Sequence, residues 1–189
     1  MIIVRAELAD LPRLVKFRTD TAAWLQQRGI DQWALPFPSE HMAESIARGE
    51  VFLFKETLTS DAAATITLDR EADELLWTPE ERRDDALYVH KLTVDRAHSG
   101  SGLGTRVLDW AGEQAVRQGA KWLRLDAWTT NPRLQAYYLG LGFKHVRTVD
   151  DEGAGGSGWV AQRPASSAAP NFVELLGTSS SGDTPESAG

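Results

Sequence analysis

The chain has 189 residues, of which 42% are hydrophobic and 25% charged, as is usual for a soluble domain with a full core. Its formal net charge of −7 argues against a nucleic-acid partner and favours a cationic one. The absence of cysteine excludes a disulfide framework, a cysteine nucleophile and a thiolate metal site. No stretch has the apolar length of a membrane span, and no signal-peptide pattern opens the chain, so we expect a cytoplasmic protein without a membrane partner.

Hydrophobic periodicity divides most of the chain into strand and helix patterns. Seven segments have the pattern of strands: residues 2–6, 51–56, 62–68, 87–94, 122–128, 144–149 and 158–163. Four segments have the pattern of helices: residues 10–29, 39–47, 102–118 and 131–142. These patterns predict one α/β (α+β) domain over residues 1–163. The Ser, Ala, Gly, Pro and Thr content of residues 164–189 predicts a disordered tail, in which only residues 172–176 can dock on the domain.

An acidic segment, residues 69–85, separates the third strand pattern from the fourth. It is dense in Asp and Glu, with interspersed Arg and the single aromatic residue Trp77. This composition predicts a solvated loop with a helical turn near residues 79–83. The alternative is an electrostatic collar for a positively charged acceptor.

A glycine-rich turn joins the fourth strand pattern to the third helix pattern. Gly100, Gly102 and Gly104 lie where the strand ends and the helix begins. Glycine permits a close backbone approach, and a helix start offers unpaired N–H groups, so the turn suits a phosphate or pyrophosphate. A P-loop is excluded because Thr105, not lysine, follows the last glycine, and the glycine spacing does not fit a dinucleotide-binding fingerprint. The alternative is a turn that binds nothing.

The turn resembles the acetyl-CoA signature of the GCN5-related N-acetyltransferase (GNAT) family, Val-x(4)-(Arg/Gln)-x-x-Gly-x-(Gly/Ala). Val94, Gly102 and Gly104 match the pattern, whereas Ser99 stands where the family usually has Arg or Gln. This replacement removes one long polar side chain from the turn and leaves its backbone groups in place.

A second motif lies one helix and one strand further along the chain. Asn131, Tyr138, Gly142 and Phe143 resemble the family's Asn-x(6)-Tyr-x-x-x-Gly-Phe block. Asn is a good helix N-cap and Gly a good helix C-cap, so a bare helix would explain part of this match. It would not explain the pairing of the block with the glycine turn at the family's spacing.

The resemblance, which covers residues 2–163, implies the GNAT fold: a mixed, mostly antiparallel sheet of about seven strands with helices on both faces. It also implies acetyl-CoA as co-substrate, no metal and, by analogy alone, a homodimer. In the family the strands before the two motifs separate, the pantetheine arm lies between them, and amides of the turn hold the pyrophosphate. The residues that the resemblance places at acetyl-CoA are Leu92, Thr93, Val94, Ser99, Gly100, Ser101, Gly102, Leu103, Gly104, Thr105, Asn131 and Tyr138.

Acetyl transfer to an amine needs a base for the ammonium and a proton donor for the departing thiolate. His90 is the candidate base. Strand alternation places it on the same face as Leu92, and residues 88–94 resemble the strand of the arylalkylamine N-acetyltransferases, where a histidine at this position relays a proton through water. The alternatives are a histidine that only packs in the strand and a water chain as base. Tyr138 is the candidate proton donor, because a phenol stays protonated at pH 7, whereas Tyr137 is expected to point away.

Large aromatic residues mark the candidate acceptor pocket. Trp24, Gln32, Trp33 and Phe37 come from the first helix and the following loop, which overhang the acceptor in this family, and Trp128 ends the fifth strand pattern. Aromatic rings in this arrangement could stack an aromatic amine or hold a cation at their faces. The alternative is that these residues fill the core.

These features predict an N-acetyltransferase that transfers an acetyl group from acetyl-CoA to a primary amine of a small molecule, by direct attack in a ternary complex. Acetylation of a protein N-terminus or lysine is one alternative. A CoA-binding module without turnover is another, which Ser99 favours and which His90 and Tyr138 oppose.

Overall fold

The computed structural model describes residues 1–34, 38–150, 156–167 and 171–176. Its helices are α1 (Leu11–Gln26), α2 (Ser39–Ala47), α3 (Leu103–Arg117) and α4 (Pro132–Gly140). Its strands are β1 (Ile2–Arg5), β2 (Val51–Lys55), β3 (Ala62–Asp69), β4 (Ala86–Val94), β5 (Trp122–Ala127), β6 (Lys144–Thr148), β7 (Trp159–Pro164) and β8 (Val173–Glu174). Short 3₁₀ turns lie at Leu8–Asp10, Glu81–Arg83 and Arg96–His98.

The strands form one mixed sheet in the order β6-β7-β5-β4-β3-β2-β1-β8. The pairs β4–β5 and β1–β8 are parallel, and the other neighbours are antiparallel. This confirms the predicted fold class. The number of strands is corrected from about seven to eight within the described residues, because the segment predicted to be able to dock supplies β8.

Helices cover both faces of the sheet, as predicted. Alternation along β2 shows the two faces: Phe52 and Phe54 join the core beneath α3, whereas Val51 and Leu53 join the core beneath α1 and α2. The α3 side chains that enter the first core recur at helical spacing: Leu103, Val107, Trp110, Ala111 and Ala115. This stripe fixes the start of α3 against the sheet, directly after the glycine turn.

The C-terminal segment packs on the edge of the sheet and on α3. Val173 and Glu174 pair with β1, and the ring of Phe172 lies 5.1 Å from that of Phe54. The Glu174 carboxylate accepts hydrogen bonds from Trp110 Nε1 at 2.7 Å and from the Arg117 guanidinium at 2.8 Å. The boundary at residue 163 stays a prediction, although β7 extends through Pro164.

The acidic segment is not a solvated loop throughout. Leu76 and Trp77 are buried against Tyr88 and Val160 on the sheet, so part of the segment belongs to the core. The predicted helical turn is present as Glu81–Arg83. Within the described residues, no helix has the length and apolar character that a membrane crossing requires.

Candidate active site

A cleft opens where β4 and β5 separate. The two strands pair from Ala86 and Trp122 to Val89 and Leu125, and the pairing then stops although β4 continues to Val94. The resulting cavity has a volume of about 600 Å³ and lies between α1, α4 and the ends of the two strands. Because β4 has no β5 neighbour beyond Val89, its main-chain groups border this opening.

The glycine turn forms the other end of the same cleft. Gly102 is the N-cap of α3 with φ of 75°, in the left-handed region that favours glycine. Within the described chain, the main-chain N–H groups of residues 102–105 donate to no acceptor. A pocket of about 440 Å³ in front of them shares Leu92, Tyr137 and Tyr138 with the larger cavity, so the two spaces are continuous. Four unpaired N–H groups at a helix start suit a pyrophosphate.

The residues expected at acetyl-CoA have different places around this turn. Ser99 borders the pocket beside the glycines, whereas the Ser101 hydroxyl turns away and donates to the carbonyl of His98 at 2.7 Å. Asn131 caps α4, since its Oδ1 accepts from the Leu134 N–H at 3.1 Å.

Tyr138 is buried on α4 and borders both spaces. Its side chain is 6% exposed and its ring lies 5.8 Å from that of Phe143. Burial, the nearby Asp126 charge and Tyr137 raise the pKa of the Tyr138 phenol, so the hydroxyl keeps its proton at neutral pH. Tyr137 was predicted to point away, which is wrong: it borders the same spaces, and its Oη lies 3.2 Å from Thr105 Oγ1.

His90 lies between two carboxylates that sequence reasoning did not connect with it. Its Nε2 is 3.4 Å from Asp69 Oδ1 on β3, and its Nδ1 is 3.6 Å from Asp126 Oδ1 on β5. Burial alone would lower the pKa of the imidazole, but the contacts with Asp126 and Asp69 outweigh it and raise the pKa from 6.5 to about 9. His90 is therefore mainly an imidazolium at neutral pH in the free protein.

A β-bulge changes which residues share a face of β4. His90 pairs with Thr67 and Thr93 with Thr65, so one extra residue lies between them, and Lys91 takes a φ of 52°. Leu92 consequently packs into the core beneath α3, on the opposite face from His90. The prediction that strand alternation puts His90 and Leu92 on one face is wrong for this reason.

Comparison with known proteins decides the family. Residues 20–143 match the Acetyltransferase (GNAT) family.

The chain belongs to the GNAT acetyltransferase family.

It is therefore an acyltransferase, and relatives agree with this assignment. The enzyme is 33% identical over 133 residues to YesJ of Bacillus subtilis (strain 168), described as an uncharacterized N-acetyltransferase, a match that covers 67% of this chain and 72% of YesJ. A GNAT acetyltransferase of Listeria monocytogenes 4b F2365 has a TM-score of 0.72 at 24% identity, covering 86% of this chain and 94% of its own. The ribosomal-protein-S18-alanine N-acetyltransferase of Escherichia coli has a TM-score of 0.57 at 20% identity, covering 89% and 96%. These two solved structures establish the likeness of fold.

Two loops of this GNAT enzyme are tied together across the cleft. Asp31 Oδ1 accepts hydrogen bonds from Trp128 Nε1 at 2.8 Å and from Thr130 Oγ1 at 2.5 Å. Gln32 Oε1 accepts from Asn131 Nδ2 at 2.7 Å in a buried contact. Gln32 and Trp128, predicted to contact the acceptor, both border the cavity, but their polar atoms hold the two loops to each other.

Arginines already lie against two rings of the predicted acceptor pocket, those of Trp24 and Trp33. The guanidinium carbons of Arg28 and Arg96 lie 3.8 and 3.7 Å from the Trp24 ring centroid. Two groups this close to one centroid must occupy opposite faces, because on the same face they would overlap. Arg18 lies 5.0 Å from the Trp33 ring, and Trp33 itself has a φ of 62°, which is strained for a bulky residue. Phe37, the remaining predicted member, lies outside the described residues.

Sequence reasoning missed several polar residues at the cleft. Asp69 and Asp126 meet His90 only through the order of the strands, which no local pattern reveals. Asp126 did carry a signal, since it is a carboxylate at the end of a largely apolar strand. Arg18 and Lys91 also border the cavity. Among the described residues, no group of three or more acidic or histidine side chains could hold a metal ion.

Proposed function

We propose that this enzyme transfers the acetyl group of acetyl-CoA to a primary amine of a small molecule, by direct attack in a ternary complex. The observation that carries the proposal is one continuous cleft. It has the unpaired N–H groups of residues 102–105 at one end, the buried hydroxyl-bearing Tyr138 in its wall, and His90 with the Asp126 carboxylate at the other side.

The binding role falls mainly on backbone groups. The N–H groups of residues 102–105 would hold the pyrophosphate, and main-chain groups of residues 92–94, which lack a β5 neighbour, would hold the pantetheine arm. A serine at position 99 leaves these backbone donors in place. Asn131 would have a structural role and no direct contact with the reacting groups, since it caps α4 and donates a hydrogen bond to Gln32 of the facing loop.

The chemistry needs two proton movements. The acceptor enters as an ammonium near Asp126 and gives a proton to the neutral form of His90. The amine nitrogen then attacks the thioester carbonyl carbon, the C–N bond forms, and the C–S bond breaks. The departing sulfur takes the proton of the Tyr138 hydroxyl, and the remaining extra proton of the new amide restores that hydroxyl, whose raised pKa disfavours a lasting phenolate. His90 then releases its proton to solvent.

The protein-acetylation alternative would need an open track for a peptide. The hydrogen bonds of Asp31 and Gln32 across the cleft favour a compact acceptor instead. The homodimer stays a prediction, which light scattering on the purified chain would test.

The test is release of free CoA from acetyl-CoA with a panel of small amines and with peptides that carry a free N-terminus or a lysine. We expect turnover with small amines, with each product heavier by one acetyl group. Turnover with peptides alone would overturn the small-molecule proposal. Acetyl-CoA binding without turnover on either panel would indicate the module that has lost activity.

A further inference from the structure

The hydroxyl group of Tyr137 reaches from α4 to the first turn of α3. Its Oη lies 3.2 Å from Oγ1 of Thr105, in an exposed contact in which either hydroxyl can be the donor. Tyr137 borders both spaces of the cleft and is 38% exposed, whereas Tyr138 beside it is buried. A phenol hydroxyl that a ligand can reach is therefore present next to the glycine turn.

The packing at Gly104 shows how closely this hydroxyl lies against α3. A Cβ added to Gly104 would be 2.8 Å from Tyr137 Oη, which is closer than real Cβ atoms approach, and 3.8 Å from Tyr137 Cζ. Gly104 lies within α3 and does not have a positive φ, so the helix backbone itself would accept alanine there. The absence of a side chain at Gly104 thus leaves the space that the Tyr137 hydroxyl occupies.

The same hydroxyl lies beside the main-chain groups proposed to hold the pyrophosphate. Gly104 and Thr105, which Tyr137 approaches, belong to residues 102–105, whose N–H groups donate to no acceptor within the described chain. Tyr137 and these residues border one pocket of about 440 Å³. Donors from two helices, main-chain N–H groups of α3 and a phenol of α4, therefore meet at the place where a diphosphate would bind.

Side-chain donors at this pocket are few and mostly short. Within the described residues, no lysine or arginine borders it, and Ser99 stands where the resemblance leads one to expect a long polar side chain. The ring of His98 borders the pocket with its Nε2 directed to the Glu56 carboxylate, 3.4 Å away. The Tyr137 hydroxyl supplies from α4 the long polar side chain that position 99 lacks.

Resting on the proposed function, we infer that Tyr137 is a further cofactor-binding residue, whose hydroxyl donates a hydrogen bond to the diphosphate of acetyl-CoA. A phenol oxygen accepts and donates at the same time. The Thr105 hydroxyl can therefore keep donating to Tyr137 Oη while Tyr137 donates to a phosphate oxygen, so the contact seen at 3.2 Å orients the phenol for the ligand. The diphosphate is then held from α3 and from α4.

The test is the Kd of Tyr137→Phe for three acetyl donors, measured by NMR titration, which also detects weak binding. S-acetyl-dephospho-CoA keeps the diphosphate of acetyl-CoA but lacks its 3′-phosphate, and S-acetylpantetheine lacks both. We expect Tyr137→Phe to weaken acetyl-CoA and S-acetyl-dephospho-CoA by about tenfold each, as one hydrogen bond to a charged group provides, and to leave S-acetylpantetheine unaffected.

Gly104→Ala is an independent variant, because its Cβ displaces the Tyr137 hydroxyl without removing it. It should weaken acetyl-CoA binding in the wild type, and by less in the Tyr137→Phe background, where the oxygen that it would meet is absent. The matched control is Tyr88→Phe, which removes a phenol hydroxyl that accepts from Arg124 Nη1 at 2.9 Å away from the cleft. It should keep the wild-type Kd for all three donors.

The outcomes separate this inference from the proposed function. An unchanged or tighter Kd for acetyl-CoA in Tyr137→Phe would overturn the inference, and so would an equal loss for S-acetylpantetheine. A loss confined to acetyl-CoA, with S-acetyl-dephospho-CoA unaffected, would also overturn it by placing the hydroxyl at the 3′-phosphate. Each of these results leaves the proposed acetyl transfer intact, whereas a wild type that binds none of the three donors would overturn both.

Discussion

The Nδ1 atom of His90 lies 3.6 Å from Oδ1 of Asp126, at the point where β4 and β5 separate. This ionic contact links β4 to β5 beyond the last residues at which the two strands form backbone hydrogen bonds. An acceptor ammonium that approaches Asp126 competes with the imidazolium for the same carboxylate. Acceptor binding and loss of the His90 proton are therefore expected to favour each other.

The raised pKa of His90 predicts an alkaline rise in activity. With a pKa of about 9 in the free enzyme, about one molecule in a hundred carries neutral His90 at pH 7. For an acceptor whose own pKa lies outside this range, kcat/KM should increase from pH 7 and level off near pH 9. Asp126→Asn should move this limb to lower pH, and His90→Gln should abolish it. A wild-type profile without this limb would exclude His90 as the base.

The same ionisation predicts a pH dependence of stability with a definite sign. The folded pKa is raised above the ordinary value of 6.5, so the stabilisation is fully present below pH 6.5 and is lost as the pH rises through about 9. It amounts to about 3 kcal/mol at most. Urea unfolding at pH 6 and pH 9.5 should show a larger loss of free energy of unfolding for the wild type than for His90→Gln. Equal losses in the two proteins would contradict the raised pKa.

Two glycines on α3 allow a matched test of the pyrophosphate site. Gly102 lies at the start of α3 and has a φ of 75°, and Gly119 lies just after the end of α3 and has a φ of 71°. At either position an added Cβ would meet no protein atom within 4 Å. Gly102→Ala and Gly119→Ala should therefore each cost about 1 kcal/mol of stability. Calorimetric titration should show weaker acetyl-CoA binding, by about tenfold, for Gly102→Ala alone. Equal affinities in the two variants would place the pyrophosphate elsewhere.

The contact of Asp31 with the β5–α4 loop predicts a role in holding the acceptor. Hydrogen bonds from Thr130 and Trp128 lower the pKa of the Asp31 carboxyl, so these bonds persist through neutral pH and are lost only as the pH falls through that lowered pKa. Asp31→Ala should raise KM for the acceptor several-fold, by about the loss of one charged hydrogen bond, with a smaller effect on KM for acetyl-CoA. Asp20→Ala, on the exposed side of α1, is the control, and steady-state kinetics would distinguish them.

The fold and the glycine turn before α3 could be predicted because their signals are local. Glycine spacing marked the start of α3, the Asn131 cap marked α4, and periodicity located the seven longer strands. The eighth strand has only two residues, and contacts of Glu174 with Trp110 and Arg117 hold it in place. The hydrophobic pattern of so short a segment could therefore predict that it docks on the domain, but not that it forms a strand.

The surroundings of His90 could not be predicted because they depend on register and strand order. One extra residue at Lys91 reverses the faces of the residues that follow, and no composition signal marks a bulge at a non-glycine residue. Asp69 and Asp126 come from strands on either side of β4 and are distant in sequence. Tryptophans were correctly predicted at the cleft, but no sequence pattern indicated that the protein's own arginines lie against the rings of Trp24 and Trp33.

The Tyr138 hydroxyl provides the most direct test of the proposed transfer, with Tyr88→Phe as control. Tyr88 is also buried, but its hydroxyl accepts from Arg124 Nη1 at 2.9 Å away from the cleft, so its loss should affect stability alone.

The decisive measurement is kcat for Tyr138→Phe with a saturating amine, alongside the Kd for acetyl-CoA. We predict that kcat falls by about a hundredfold while the Kd stays close to that of the wild type, because the hydroxyl acts on the departing sulfur and not on the bound cofactor. An unchanged kcat, with Kd also unchanged, would contradict the proposal that this phenol protonates the thiolate.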